Sequence, residues 1–154
     1  MTRVVAAACA LAALVSNLLV ERMAMAASGS FVMIPGLADI HPAWNRCVSF
    51  SLFCQNSDTG QHLLMALLVV IIAVVTVLAW RATNWLAAAG FGLIIGGALG
   101  NLIDRVFHGA VFDYLALHLG SVQLFVCNFS DIAISAGVLC LIGEALLAPR
   151  PRYS

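Results

Sequence analysis

Apolar residues run along this chain in four long blocks, at 4–20, 62–80, 84–103 and 132–147. A helix that crosses a bilayer needs about 20 mostly apolar residues, with a usual range of about 17–25. The first three blocks fit that range. The fourth is short unless the loop before it dips into the membrane. The pattern predicts an all-α membrane protein with four transmembrane helices, forming a single integral membrane domain over residues 1–154. Between the first two blocks lies the one sizeable polar stretch, 21–61. Within it, Phe31-Val32-Met33-Ile34 followed by Pro35-Gly36 reads as a short strand and a turn. Residues 48–52 (Val-Ser-Phe-Ser-Leu) alternate apolar and polar, the period of a half-exposed strand. A small extracytoplasmic β-element in this first outer loop is therefore expected. The ending Pro149-Arg150-Pro151-Arg152 reads as a frayed tail.

Composition narrows the class. Hydrophobic residues make up 63% of the 154, and charged residues only 9%. A soluble domain carries about 25% charge, so this chain could not cover its surface with polar groups. A net charge of zero leaves no basic footprint for nucleic acid. Four spans place both termini on one side. Arg3, Arg81, Arg150 and Arg152 flank that side, and Arg22, Arg46 and Arg105 flank the other. The excess of arginine favours cytoplasmic termini. A rival reading takes the first block as a cleaved secretory signal ending at Ala24-Met25-Ala26. Glu21 and Arg22, which fall between the apolar run and that site, argue against it.

Chemistry concentrates near one end of the spans. Gly92, Gly96 and Gly100 recur every four residues, a spacing that suits close helix packing. The same helix then presents Asn101, Asp104 and Arg105 on one face. Polar groups at membrane depth are costly and point to function; the bland alternative is a snorkelling arginine beside capping residues. Asp113 and Asp131 flank one short outer loop, at the same membrane level. Two carboxylates held close in a poor solvent cannot both ionise easily. Sharing one proton, they could activate water against a peptide carbonyl, as aspartic proteases do. Taken alone, Asp131 could equally be a helix N-cap and Asp113 an exposed loop acid.

Together these residues resemble a known family. Gly96-Gly97-Ala98-Leu99-Gly100-Asn101-Leu102-Ile103-Asp104-Arg105 is similar to a signature block of signal peptidase II, the lipoprotein signal peptidases. Gly109-Ala110-Val111-Phe112-Asp113-Tyr114 and Asn128-Phe129-Ser130-Asp131 resemble the two blocks that carry its catalytic acids. Order, spacing and the four-span layout agree from about residue 16 to 147. The resemblance implies an intramembrane aspartic endopeptidase of the bacterial inner membrane, with its active site near the outer face. It would remove the signal peptide from diacylglyceryl-modified prolipoproteins, cutting before the lipidated Cys. It implies Asp113 and Asp131 as the catalytic dyad, and Asn45, Asn101, Asp104, Arg105 and Asn128 as substrate-binding residues. Arg105 could donate to a substrate carbonyl. The implied partners are a prolipoprotein and membrane lipid, with no cofactor, no metal and a monomeric chain.

The chain departs from the family pattern at supporting positions. Where the family has Asp-Gln and then Lys three residues after the Gln, this chain has Ser16, Asn17 and Val20. The family's Asn-x-Gly is Asn45-Arg46-Cys47, Ser51 follows Phe50 where many members have Gly, and Ser130 replaces an Ala. These changes imply reduced activity or an altered substrate range.

Three readings from other classes compete. An inactive relative could bind lipidated signal peptides without cutting. A four-helix thiol oxidoreductase would need a close cysteine pair, but Cys47 and Cys54 stand seven apart and Cys-x-x-Cys is absent. A Cys47–Cys54 bridge would be structural, and Cys9 and Cys140 lie inside spans as small hydrophobes. A channel or carrier would carry charge at the bilayer midplane rather than at span ends. His41, His62, His108 and His118 show no metal spacing.

Overall fold

The computed structural model describes residues 1–27, 29–47 and 57–147. Four helices and four strands follow in the order α1 (Thr2–Ala26), β1 (Phe31–Ile34), β2 (Ala38–Asn45), α2 (Asp58–Arg81), α3 (Trp85–His108), β3 (Val111–Leu119), β4 (Val122–Cys127) and α4 (Phe129–Leu147). All four helices are long and apolar enough to cross a membrane. Helix ends fall beyond the apolar blocks, because an apolar run marks hydrocarbon depth while backbone hydrogen bonds continue to the caps. Thus α1 continues through Glu21 and Arg22 to Ala26. The side chain of Ser57 caps α2, accepting from the Gly60 amide at 3.2 Å, and Asn84 caps α3 through Ala87 at 2.8 Å. Helix α3 stops at His108, where Gly109 adopts a φ of 68° that a residue with a Cβ takes up only under strain.

Helix α3 is the axis of the bundle and packs against α1, α2 and α4. Its glycines make that possible. A Cβ at Gly92 or Gly96 would run into the carbonyls of Ala6 and Ala10 on α1. One at Gly97 would meet the Ser130 carbonyl on α4. The four-residue glycine spacing is therefore a packing device, as expected. Helix α2 is only 6% buried over its apolar window, so nearly all of its surface is left for lipid.

The strands form one antiparallel sheet in the order β1-β2-β3-β4. They follow the end of α1 and connect the end of α3 to the start of α4, so the sheet lies at one end of the bundle. The expected strand at Phe31–Ile34 is present. The expected strand at 48–52 lies outside the described residues, as do Cys54 and the tail at 149–152. Half of the sheet comes instead from the segment between α3 and α4, which had been expected only as a short outer loop. Strand β2 pairs with β3 in a register that sets Ala43 against Asp113 and Asn45 against Val111. Its register shifts between Ile40 and Ala43, where Pro42 has no amide to give to a ladder. At the far end the two turns are tied together: His118 donates its amide to the Leu37 carbonyl at 2.8 Å, and Gly120 to Gly36 at 3.0 Å. A small core of Ala24, Phe112 and Tyr114, with Val20, Ile40, Leu115 and Phe129 around it, seats the sheet on α1 and α4.

Candidate active site

The sheet and α4 meet at Asn128, the residue between the last strand and the last helix. Asn128 accepts the Asp131 amide on its side-chain oxygen at 3.0 Å. Asp131 in return accepts the Asn128 amide at 3.4 Å. This is a reciprocal cap, which satisfies two amides that the first turn of a helix otherwise leaves without partners. The N-cap at this helix is therefore Asn128, and the carboxylate of Asp131 is held at the helix start.

The side-chain amide of Asn128 reaches further. It donates to Asp113 Oδ1 at 3.0 Å and to Asn101 Oδ1 at 3.1 Å. Asn101 donates in turn to Asp131 Oδ1 at 3.1 Å. Asn45, brought alongside by the β2–β3 register, donates to Asp113 Oδ2 at 2.7 Å. Four of the expected residues thus join Asp113 in one closed network: Asn45, Asn101, Asn128 and Asp131. Both carboxylates receive neutral amide donors, which orient them without neutralising them. Burial pushes the Asp113 carboxyl up to about 6, and the charge of Asp131 adds to the rise. The donors Asn45 and Asn128 and the Arg105 guanidinium act in the opposite direction.

The network opens into a cavity of about 560 Å³. Asn45, Asn101, Arg105, Asp113 and Asp131 line its polar end. Leu117, Phe125, Ile132, Ile134 and Leu139 line the remainder, which is apolar. Such a site suits a ligand with a polar group at one end and hydrocarbon at the other.

Two expected residues stand differently. Asp104 is 2% exposed and is not among the cavity-lining residues. Its Oδ2 accepts the amide of Phe112 at 3.1 Å, which fixes the strand beside Asp113. Arg105 lines the cavity, but two of its donors are engaged, Nη1 with Gln61 Oε1 at 2.9 Å and Nη2 with the Cys47 carbonyl at 2.7 Å. Gln61 also donates to the Arg46 carbonyl at 2.7 Å. Arg105 and Gln61 together hold the chain just after Asn45.

Sequence reasoning passed over Gln61, and it took Asn17 and Glu21 only as departures or flanking charge. Asn17 Oδ1 accepts the amide of Ser130 at 3.1 Å, and Asn17 donates to Glu21 at 3.5 Å. The available signal was two polar residues four apart within a transmembrane helix, hence on one face. The cysteines offer little for thiol chemistry. Cys47 is disulfide-bonded, Cys9, Cys127 and Cys140 are free, and burial pushes the Cys127 thiol up to about 12. Three histidines serve local contacts: His118 pairs with Asp39 at 3.1 Å, His41 with Ser30 at 3.2 Å, and His108 lies against Trp44 with the rings tilted at 43°.

Comparison with known proteins adds to this geometry. A family model described as signal peptidase (SPase) II matches residues 4–147. The lipoprotein signal peptidase of Methylorubrum extorquens (strain PA1) is 48% identical over 117 residues, 75% of this chain and 67% of that protein. That of Beijerinckia indica is 48% identical over 101 residues, 66% of this chain and 60% of its own length. That of Methylobacterium sp. (strain 4-46) is 41% identical over 117 residues, 75% and 70%. The aligned part of this chain spans about two thirds of the length of these relatives. Two bacterial membrane enzymes of solved structure share the fold. Their TM-scores are 0.78 and 0.72 at 20% and 18% identity, covering 94% and 97% of this chain and 94% of each of theirs.

Proposed function

The chain belongs to the signal peptidase II family, a family of peptidases, and from that premise we propose that it is an intramembrane aspartic endopeptidase. It is a multi-pass bacterial membrane protein. Its substrate is a prolipoprotein whose Cys carries a diacylglyceryl group, and the bond cut is the one before that Cys. Both termini lie in the cytoplasm, the sheet and site lie at the outer face, and the chain acts as a monomer in lipid.

Asp113 and Asp131 form the dyad. Asp131, at a helix N-terminus, is the ionised partner, since the helix dipole favours negative charge there. It takes a proton from water as the water oxygen attacks the scissile carbonyl. Asp113 bears the proton at the start and gives it to the carbonyl oxygen. The C–N bond then breaks as the proton held by Asp131 passes to the leaving amine and a hydroxyl proton of the tetrahedral intermediate returns to Asp113, which restores both acids. Asn45, Asn101 and Asn128 hold the two carboxylates, and Asn45 and Asn101, which line the cavity, each have a second amide hydrogen to offer the reacting carbonyl oxygen. The apolar end of the cavity takes the lipid-bearing side of the substrate. The two acids titrate as a pair.

The observation that carries this reading is Asn128, whose side-chain amide donates to Asp113 and whose backbone amide donates to Asp131, two carboxylates that line one largely apolar cavity. The test is cleavage of a lipidated prolipoprotein in detergent or lipid. Wild-type protein cuts before the lipidated Cys, and Asp113→Asn and Asp131→Asn do not. Cleavage by both variants at the wild-type rate overturns the dyad. Wild-type protein that binds the substrate and never cuts it favours the non-cleaving relative instead.

A further inference from the structure

Helix α1 carries a second set of polar groups that the proposed chemistry does not use. Asn17 is 2% exposed and Glu21 is 7% exposed. Asn17 Oδ1 accepts the amide of Ser130, the residue before Asp131. Asn17 Nδ2 donates to Glu21 Oε2. Glu21 hydrogen-bonds through its side chain to Asp104. Asp104 accepts the amide of Phe112, the residue before Asp113. The chain of contacts thus begins one residue before one acid and ends one residue before the other. It runs behind the cavity, through groups that do not line it. Resting on the dyad reading above, we propose that Asn17 and Glu21 are positioning residues that fix the spacing of Asp113 and Asp131 by gripping the backbone ahead of each.

Chemistry supports the connection. Carboxylates only accept hydrogen bonds, so the Glu21–Asp104 contact needs a proton on one of the two. A buried polar network that is half satisfied costs more than an apolar core, and these three side chains bond one another and two buried backbone amides. On the same side Tyr114 of β3 also accepts the amide of Phe129 at the start of α4, at 3.1 Å, so the Asn17–Glu21–Asp104 chain acts beside a direct strand-to-helix clamp. This chain lacks the acid and the lysine that the family pattern has at positions 16 and 20. Asn17 and Glu21, on the same helix face, supply the link from α1 to the site.

Glutamine at position 21 can still donate to Asp104 and accept from Asn17. Methionine fills similar volume and does neither. Lipidated-peptide cleavage by folded Glu21→Met is expected to show kcat reduced about tenfold with KM within twofold of wild type, because small misplacement of reacting groups lowers the rate rather than the binding. Glu21→Gln is expected to recover kcat to within about twofold. Glu21→Leu replaces the methionine variant should that one fail to fold. A wild-type kcat in the apolar variant overturns the proposal, and so does a glutamine variant as slow as the apolar one. Asp113→Asn and Asp131→Asn are run beside them. If those two are inert while Glu21→Met is fully active, the dyad stands and the positioning role falls. If those two remain active, the dyad itself falls.

Discussion

Asn45 and Asp113 stand 68 positions apart in the chain and 2.7 Å apart in space, amide nitrogen to carboxylate oxygen. The bond joins the first polar stretch of the chain to the strand that carries one of the two acids. It also has a titration consequence. An amide donor favours the ionised carboxylate, so its removal raises the Asp113 value above about 6. With Asp113 acting as the proton-bearing partner, activity falls as pH rises through that value. Asn45→Ala should therefore move the alkaline limb of kcat/KM to higher pH, by up to about one unit. A pH-rate profile checks this, and a limb that stays or moves to lower pH contradicts the role given to Asp113.

Loss of either acid should remove the chemistry. Asp113→Asn and Asp131→Asn should each lower kcat by about 10³-fold, within the range that general acid–base groups contribute. Single-turnover cleavage in lipid separates this loss from any change in substrate affinity.

The same acid affects stability. In the folded chain the Asp113 carboxyl is raised from 3.8 to about 6, with burial the main cause. A raised carboxyl favours the folded state while protonated, so that contribution is present below about pH 4 and lost as pH rises through about 6. Two units correspond to about 3 kcal/mol at most. Asp113→Asn does not titrate. The melting temperature of this variant relative to wild type should therefore climb by a few degrees between pH 4 and pH 7. A difference that stays flat across this range contradicts the raised value.

Ser130 is fully buried, and its hydroxyl has no hydrogen-bond partner among the described residues. An unsatisfied buried hydroxyl costs about 1–3 kcal/mol. Ser130→Ala restores the residue of the family pattern and should raise the melting temperature by a few degrees. Its backbone amide, which Asn17 accepts, is unchanged. A fall in melting temperature would show that the hydroxyl contributes something else.

Gly96 faces the Ala10 carbonyl of α1 so closely that a methyl group cannot fit without movement. Gly96→Ala should cost about 1–3 kcal/mol and loosen α1 from α3. Gly143 offers a contrast, with open space around its Cβ position, so Gly143→Ala should be close to neutral. Equal effects of the two substitutions in a thermal melt would refute the packing role.

Much of this arrangement could be seen in the residues themselves. The four apolar blocks marked the helices because hydrocarbon demands length and little else. The helix ends were hidden, since Gly109 acts through its backbone geometry and Asn128 through a side-chain cap, neither of which hydropathy registers. Strands β3 and β4 were missed for a related reason. Val111–Leu119 is mainly apolar on both faces, its first four residues all buried, so the period of two that marks a half-exposed strand is absent. Asp113, Asp131, Asn101 and Asn128 stood out through the ordered blocks, and Asn45 through the outer-loop segment Asn45-Arg46-Cys47. Their mutual bonding depends on a β2–β3 register that no local pattern encodes. Asp104 and Arg105 lay on one helix face as expected, yet Asp104 bonds the backbone of β3 while Arg105 holds the chain near Cys47.

The two acids belong to different kinds of element, Asp113 to an inner strand and Asp131 to the last helix. Neither the hairpin nor α4 alone holds both. While the ribosome is still completing the chain, the first three helices can be in place without the pairing of Asp113 and Asp131. Hydrolytic capacity in the proposed enzyme arrives only when the final helix enters the bilayer and Asn128 closes the ring. Entry of α4 into the bilayer is then the event that arms the proposed enzyme.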